Sequence, residues 1–155
     1  MFKRILVPLD GSDLAEKILP KAKELADKYQ AELILLRVFE PEQALASPVS
    51  SFDTYHLVVS VKEAKVRARK YLEELKKGLK LIHTDLPIDI ISVESSGTVG
   101  KTIAEQAIIN NIDLIAMTSH GYTGFRRFVM GSVTTETLKH ATCPALVVPA
   151  EYLDV

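Results

Sequence analysis

The chain has 155 residues, of which 47% are hydrophobic and 25% charged, and this predicts a single globular domain over residues 1–155. The formal net charge of -1 gives no support to a nucleic-acid or anionic-membrane surface. One cysteine cannot form an internal disulfide, and the apolar run after Met1 is too short for a signal-peptide core or a membrane span, so we expect a cytoplasmic protein.

The chain opens with a strand pattern that is followed by a helix pattern. Residues 5–9 form a continuous apolar run, which predicts a strand buried on both faces of a parallel sheet. Turn residues at 10–12 close the run, and apolar residues at helical spacing then predict a helix up to Tyr29. Pro20 interrupts this spacing, and we expect it to kink the helix rather than end it.

The middle of the chain alternates in the same way. A second strand is predicted over residues 31–39 and a third over residues 87–93. Between them, residues 40–56 are expected to be irregular, whereas residues 57–81 have the spacing of a long amphipathic helix. A shorter helix is predicted over residues 98–110, directly after the third strand.

Two further apolar runs complete the alternation. Residues 114–117 and Ala145–Val148 predict the last two strands, and a short helix pattern begins between them at Gly131 and Ser132. Strands that alternate with helices indicate an α/β fold with right-handed crossovers. We therefore predict an open, five-stranded parallel sheet that is doubly wound and Rossmann-like, with helices on both faces.

The segment between the last two strands predicts an anion site. Gly131 and Ser132 open its helix, where backbone N–H groups and the helix dipole favour a negatively charged group. Glycine also lets the backbone approach a bulky ligand closely. Phosphate is therefore the ligand that these residues favour.

This segment resembles the nucleotide-binding signature of the universal stress protein family. The signature consists of Gly, two residues, Gly, nine residues, Gly, and then Ser or Thr. Gly121, Gly131 and Ser132 match it at the correct spacing, whereas Thr118 occupies the position of the first glycine. The similarity continues at residues 5–12 and at residues 143–148, so it covers the whole chain.

The resemblance implies both a topology and a function. It implies the strand order 3-2-1-4-5, with a crevice at the carboxyl ends of strands 1 and 4. It further implies a small stress-response protein that binds ATP or AMP there, with or without Mg²⁺, and that acts as a dimeric signalling or protective module with an unknown protein partner. No catalytic residues and no metal ligands can be assembled from the sequence, so hydrolysis is expected to be slow at most.

The candidate binding residues lie at or after the carboxyl ends of strands 1, 2 and 4, or at the start of the last helix. The resemblance implies that Gly121, Gly131 and Ser132 hold phosphates, that Asp10 flanks the nucleoside and that the backbone of Val38 meets adenine. The full set of candidate nucleotide-binding residues is Pro8, Leu9, Asp10, Val38, Met117, Thr118, His120, Gly121, Gly131, Ser132, Val133 and Thr134.

Two alternatives to a nucleotide-binding stress protein remain open. Thr118 in place of glycine favours a dimeric interaction module that binds no nucleotide. Residues 95–102 nearly match the P-loop motif, with Lys101 at the phosphate-binding position, and would make the chain a P-loop NTPase. This second motif lacks its first glycine, because Ser95 stands there, and it follows the third strand rather than the first or fourth.

The last strand predicts self-association. As an edge strand, Ala145–Val148 would expose unpaired backbone groups and apolar side chains. Pairing with the same strand of a second copy removes both liabilities, and the resemblance also implies a homodimer through this strand. We therefore expect a homodimer, with no nucleic-acid or membrane partner.

Overall fold

The structure is a computed structural model that describes residues 1–40, 51–82, 85–119 and 130–153. Five parallel strands form one sheet in the order β3-β2-β1-β4-β5. Their bounds are Arg4–Pro8 (β1), Glu32–Phe39 (β2), Ile88–Glu94 (β3), Leu114–Thr118 (β4) and Ala145–Val148 (β5). The predicted fold class and strand order are confirmed.

Helices cover both faces of the sheet. Their bounds are Asp13–Glu16 (α1), Leu19–Tyr29 (α2), Ser51–Ile82 (α3), Val99–Ile109 (α4) and Ser132–His140 (α5), with a short 3₁₀ turn at Ala150–Leu153. Side chains of β1 alternate between the two faces: Ile5 and Val7 pack with residues of α2 and α3, whereas Leu6 packs with Ile103 of α4. This two-sided burial explains why the central strands are continuous apolar runs.

The region before β2 forms two helices instead of the single kinked helix that we predict from its spacing. α1 ends at Glu16, and α2 begins at Leu19 with Pro20 in its first turn. A proline ring inside a helix clashes with the carbonyl four residues earlier, which here belongs to Glu16, whereas proline is tolerated in a first turn. The chain therefore ends one helix and starts another at Pro20.

The long helix begins earlier than its apolar spacing predicts. α3 starts at Ser51, so the expectation of irregular structure is wrong for residues 51–56, and residues 41–50 lie outside the part of the chain that the structure describes. Residues 51–56 contain neither glycine nor proline. Extending an existing helix adds one hydrogen bond for each residue, so such a segment can be helical without a helical apolar pattern of its own.

Candidate functional site

A cavity of about 230 Å³ opens at the carboxyl ends of β1, β2 and β4. On this measure of volume a single water needs only about 10–15 Å³, so the space is large enough for a ligand. The cavity is lined by Pro8, Leu9, Asp10, Ala15, Leu36, Arg37, Val38, Val99, Ile103, Met117, Thr118, Gly131, Ser132, Val133 and Thr134. In a doubly wound sheet, ligands bind in this crevice, where the strand order reverses.

The turn after β1 is ordered by its own side chains. The Asp10 Oδ1 atom accepts hydrogen bonds from the Ser12 backbone N–H at 2.9 Å and from the Ser12 hydroxyl at 2.5 Å. The Ser12 Oγ atom in turn accepts from the N–H of Ala15 and caps α1. Gly11 has a φ of +85°, a conformation that L side chains rarely adopt. These features place the Asp10 carboxylate, on an exposed residue, at the edge of the cavity.

The start of α5 is fixed against the end of β4. Thr134, which is 2% exposed, uses its hydroxyl to bond the carbonyls of Thr118 and Ser119, both at 3.2 Å. The Gly131 N–H donates to the same Ser119 carbonyl at 2.8 Å, and Gly131 is the N-cap of α5. The first turn of this nine-residue helix therefore lies at the cavity, where its N–H groups favour an anion.

One side of the cavity is apolar. Leu36 and Val38 of β2 and Met117 of β4 project to the face that α4 covers, where they pack in one cluster with Ile103. Val99 lies one helical turn before Ile103 on α4 and also lines the cavity. A flat, uncharged group such as a nucleobase fits a wall of this composition.

Arg37 supplies positive charge to the cavity. Its side chain is half-buried, and its Nη1 atom donates to the Leu9 carbonyl at 3.3 Å. Nearby, Tyr71 of α3 donates a hydrogen bond to the Glu16 carboxylate at 2.8 Å. Burial, followed by this bond, raises the pKa of Tyr71 above its ordinary value, while the positive charge of Arg37 acts in the opposite direction. Tyr71 is therefore a neutral donor at physiological pH.

The candidate residues from the sequence that the structure describes all line this one cavity. His120 and Gly121 lie outside the described residues. Five lining residues were not among the candidates from the sequence: Ala15, Leu36, Arg37, Val99 and Ile103. Leu36 and Arg37 directly precede Val38, and their place near the end of β2 was the signal that could have identified them.

The P-loop-like segment serves as a helix start. Thr98 caps α4 by accepting from the Lys101 N–H, and the Thr102 hydroxyl donates to the Thr98 carbonyl at 3.0 Å. The Lys101 Nζ atom lies 3.7 Å from the Glu105 carboxylate on the same helix. Lys101 is not among the residues that line the cavity. This arrangement gives the P-loop alternative no support.

The described residues show no reactive cysteine, metal-binding group or membrane-spanning helix. Burial raises the pKa of the Cys143 thiol, which makes it a poor nucleophile. Within the described ranges, no group of three or more His, Cys, Asp or Glu residues could hold a metal ion. None of the helices in those ranges has the length and apolar character needed to cross a membrane.

Comparison with known proteins agrees with the fold. The model of the universal stress protein family matches residues 1–149. The universal stress protein YxiE of Bacillus subtilis is 28% identical over 151 residues, which cover 96% of this chain and 99% of that protein. Among solved structures, the universal stress protein UspA from Lactobacillus plantarum superposes with a TM-score of 0.75 at 23% identity, covering 95% of this chain and 97% of that one.

A second solved structure is a universal stress protein in complex with cAMP. It superposes with a TM-score of 0.59 at 18% identity and covers 96% of this chain and 98% of that chain. At this identity the likeness concerns the fold. The family match over nearly the whole length has greater weight, and it shows that this chain belongs to the universal stress protein family.

Proposed function

We propose that this protein binds an adenine nucleotide, ATP or AMP, in the cavity at the ends of β1 and β4, and that it acts as a nucleotide-dependent module of the stress response. The observation that carries the proposal is the convergence of the turn after β1 and the start of α5 on one cavity with an apolar wall. A related fold solved in complex with cAMP supports the same ligand class.

Each part of the cavity suits one part of a nucleotide. The N–H groups of Ser132, Val133 and Thr134 at the start of α5 suit the phosphates. The wall that includes Val38 suits the base, and the Asp10 carboxylate lies between the two, where it can accept hydrogen bonds from ribose hydroxyls.

We infer that Mg²⁺, where it takes part, arrives with ATP. Magnesium is usually held by one or two carboxylates together with substrate phosphates. Asp10 is the one carboxylate among the described lining residues, and its Oδ1 atom already accepts two hydrogen bonds from Ser12. We also expect the hydrolysis of ATP to be slow at most, because the described part of the cavity offers no second carboxylate as a general base.

The direct test of nucleotide binding is mass spectrometry of small molecules that remain bound through native purification, followed by calorimetric titration of ATP, ADP and AMP. We expect a retained adenine nucleotide and saturable binding of at least one of the three. If none of them binds at millimolar concentration, the proposal is wrong and the dimeric interaction module without nucleotide becomes the better account.

Lys101→Ala is expected to leave the affinity for ATP unchanged within about twofold, because Lys101 pairs with Glu105 on α4 and is not a lining residue. Calorimetry of the variant beside the unmodified chain measures this directly. A tenfold loss of affinity would restore the P-loop alternative.

We further propose that the protein is a homodimer through β5. This strand pairs with β4 on one side. The side chains of residues 145–147 are partly buried, and that of Val148 is buried. The carbonyls of Pro144 and Val148 accept hydrogen bonds from the backbone N–H groups of Ile115 and Ser119, respectively. The backbone carbonyls of Pro144 and Val148 therefore face β4. Because backbone groups alternate sides along a strand, the N–H and C=O of Val147 face away from β4, toward a second copy.

Val147→Pro is expected to convert the dimer into a folded monomer at micromolar concentration. Proline removes the outward N–H without removing a bond to β4, and edge strands tolerate proline at such positions. Light scattering gives the mass, and circular dichroism confirms the fold. Val147→Thr, which keeps the N–H and a β-branched shape, serves as the matched control and should stay dimeric. An unmodified chain that is monomeric at this concentration contradicts the proposal.

A further inference from the structure

Arg37 is the one basic side chain among the described residues that line the cavity. Its bond to the Leu9 carbonyl is long, at 3.3 Å, and uses one of five guanidinium donors. Within the described part of the chain, no carboxylate lies at ion-pair distance from it. A half-buried charge is costly when no counter-ion stands beside it among the described residues, and an anionic group of a ligand would offset that cost.

The strand order sets the sequence in which the apolar, acidic and amide groups of the cavity follow one another across the sheet. At its β2 end the apolar wall consists of Leu36 and Val38, Asp10 follows β1, and the amides of α5 follow β4. β2, β1 and β4 are consecutive neighbours in the sheet, so this direction spans about 10 Å at the usual strand spacing. A nucleotide with its base at the wall and its 5′-phosphate at α5 therefore places its ribose over the end of β1.

The side chain of Arg37, on β2, also extends to the end of β1, where we expect the ribose. Its guanidinium lies over the end of β1, bonded to the Leu9 carbonyl, and its Nη2 atom is 4.0 Å from where a Cβ on Gly11 would lie. Asp10 lies between Leu9 and Gly11 in the chain and also lines the cavity. The Asp10 carboxylate and the Arg37 guanidinium therefore flank the expected position of the ribose. In doubly wound folds that bind dinucleotides, an acidic residue accepts from a ribose hydroxyl, and a nearby arginine accommodates a phosphate on that ribose.

We propose that Arg37 binds a phosphate carried by the ribose, so that the cavity prefers nucleotides with a phosphate at the 2′ or 3′ position in addition to the 5′ position. This inference rests on the nucleotide binding proposed above and names a narrower ligand class for the same cavity. The planar guanidinium fork matches phosphate geometry, and a partly buried position makes such a contact selective.

Arg37 also has a structural role through its bond to Leu9, and the experiment must separate the two roles. ADP, adenosine 3′,5′-bisphosphate and adenosine 2′,5′-bisphosphate contain the same atoms and differ only in where the second phosphate is attached. Loss of a structural anchor at Leu9 would weaken all three isomers by a similar factor. Loss of a contact to a ribose phosphate would weaken only the isomers that carry one.

The test is calorimetric titration of AMP and the three isomers into the unmodified chain, Arg37→Leu and Arg67→Leu. Arg67 lies on α3 with a side chain that is 61% exposed, and its loss removes the same charge outside the cavity. We expect the unmodified chain to bind one of the bisphosphates about tenfold more tightly than AMP, as for a charge-assisted hydrogen bond. Arg37→Leu should abolish this preference and weaken the bisphosphates by a larger factor than AMP and ADP, whereas Arg67→Leu should keep the preference.

Two results overturn the inference while nucleotide binding itself stands. In the first, the unmodified chain binds AMP but prefers neither bisphosphate. In the second, Arg37→Leu weakens ADP and the bisphosphates by the same factor. If AMP, ADP and ATP all fail to bind the unmodified chain, the proposed function is wrong and this inference is wrong with it.

Discussion

Ser132→Pro is expected to weaken the binding of adenine nucleotide by at least about tenfold, the amount that one hydrogen bond to a charged group contributes. Ser132 is the first residue of α5 and lines the cavity. Proline lacks the backbone N–H but is favoured at the first position of a helix, so the fold should survive. The preceding Gly131 has a ψ of 151°, which is compatible with a following proline. Calorimetric titration with ATP and AMP measures the loss.

Ser132→Ala is the matched control for this experiment. It removes the hydroxyl and keeps the N–H, so it separates the contribution of the side chain from that of the backbone. We expect a loss of about threefold or less, because the backbone at the start of α5 carries the interaction with phosphate. Circular dichroism establishes that both variants are folded. Equal losses for the alanine and proline variants would show that the hydroxyl, rather than the backbone, binds the phosphate.

Gly100→Ala is expected to lower the free energy of unfolding by about 2 kcal/mol, the usual cost of forcing an extra carbon into a closely packed site. A Cβ on Gly100 would lie 2.6 Å from the Glu136 Cβ, 2.7 Å from the Val133 carbonyl oxygen and 2.8 Å from the Thr137 backbone nitrogen. Two of these three atoms belong to the backbone of α5, so the contact is relieved only if α4 and α5 move apart. Urea denaturation measures the change.

Gly78→Ala gives the same substitution in an open environment. Gly78 lies within α3, and nothing is found within 4 Å of the position of its added Cβ. Alanine has the higher helix propensity, so this variant should be more stable by about 0.5–1 kcal/mol. The two substitutions are therefore expected to have opposite signs. A gain of stability for Gly100→Ala would mean that α4 and α5 are not in the contact that the structure shows.

The contact at Gly100 also links stability to the candidate site. Val133 lines the cavity, and its carbonyl is one of the atoms that an added Cβ would meet. Movement of α5 away from α4 would shift the N–H groups that we propose to bind phosphate. We therefore expect the fraction of Gly100→Ala that stays folded to bind nucleotide more weakly than the unmodified chain, and Gly78→Ala to bind normally.

Much of the candidate site could be predicted from the sequence because its residues lie at the carboxyl ends of strands or at a helix start. Asp10, Val38 and Thr118 lie at or just after the ends of apolar runs, and in a parallel sheet all of those ends share one edge. Gly131 and Ser132 were identifiable because glycine and serine mark a helix start. Local patterns and a fixed topology are sufficient to bring such residues together, and the cavity contains all of those that the structure describes.

The amino-acid sequence was sufficient to predict the five strands, their parallel arrangement and, with the family resemblance, their order, because buried strands are long apolar runs that local periodicity reveals. The contact of Arg37 with Leu9 and the close packing of Gly100 against α5 are visible only in the folded chain. In the sequence, Arg37 is a charged residue near the end of an apolar run, and its contact with the Leu9 carbonyl depends on which strand is its neighbour. Gly100 forms part of a P-loop-like motif, but its lack of a side chain matters because another helix passes against it. Contacts between elements that are distant in sequence leave no local pattern, so only the folded chain shows them.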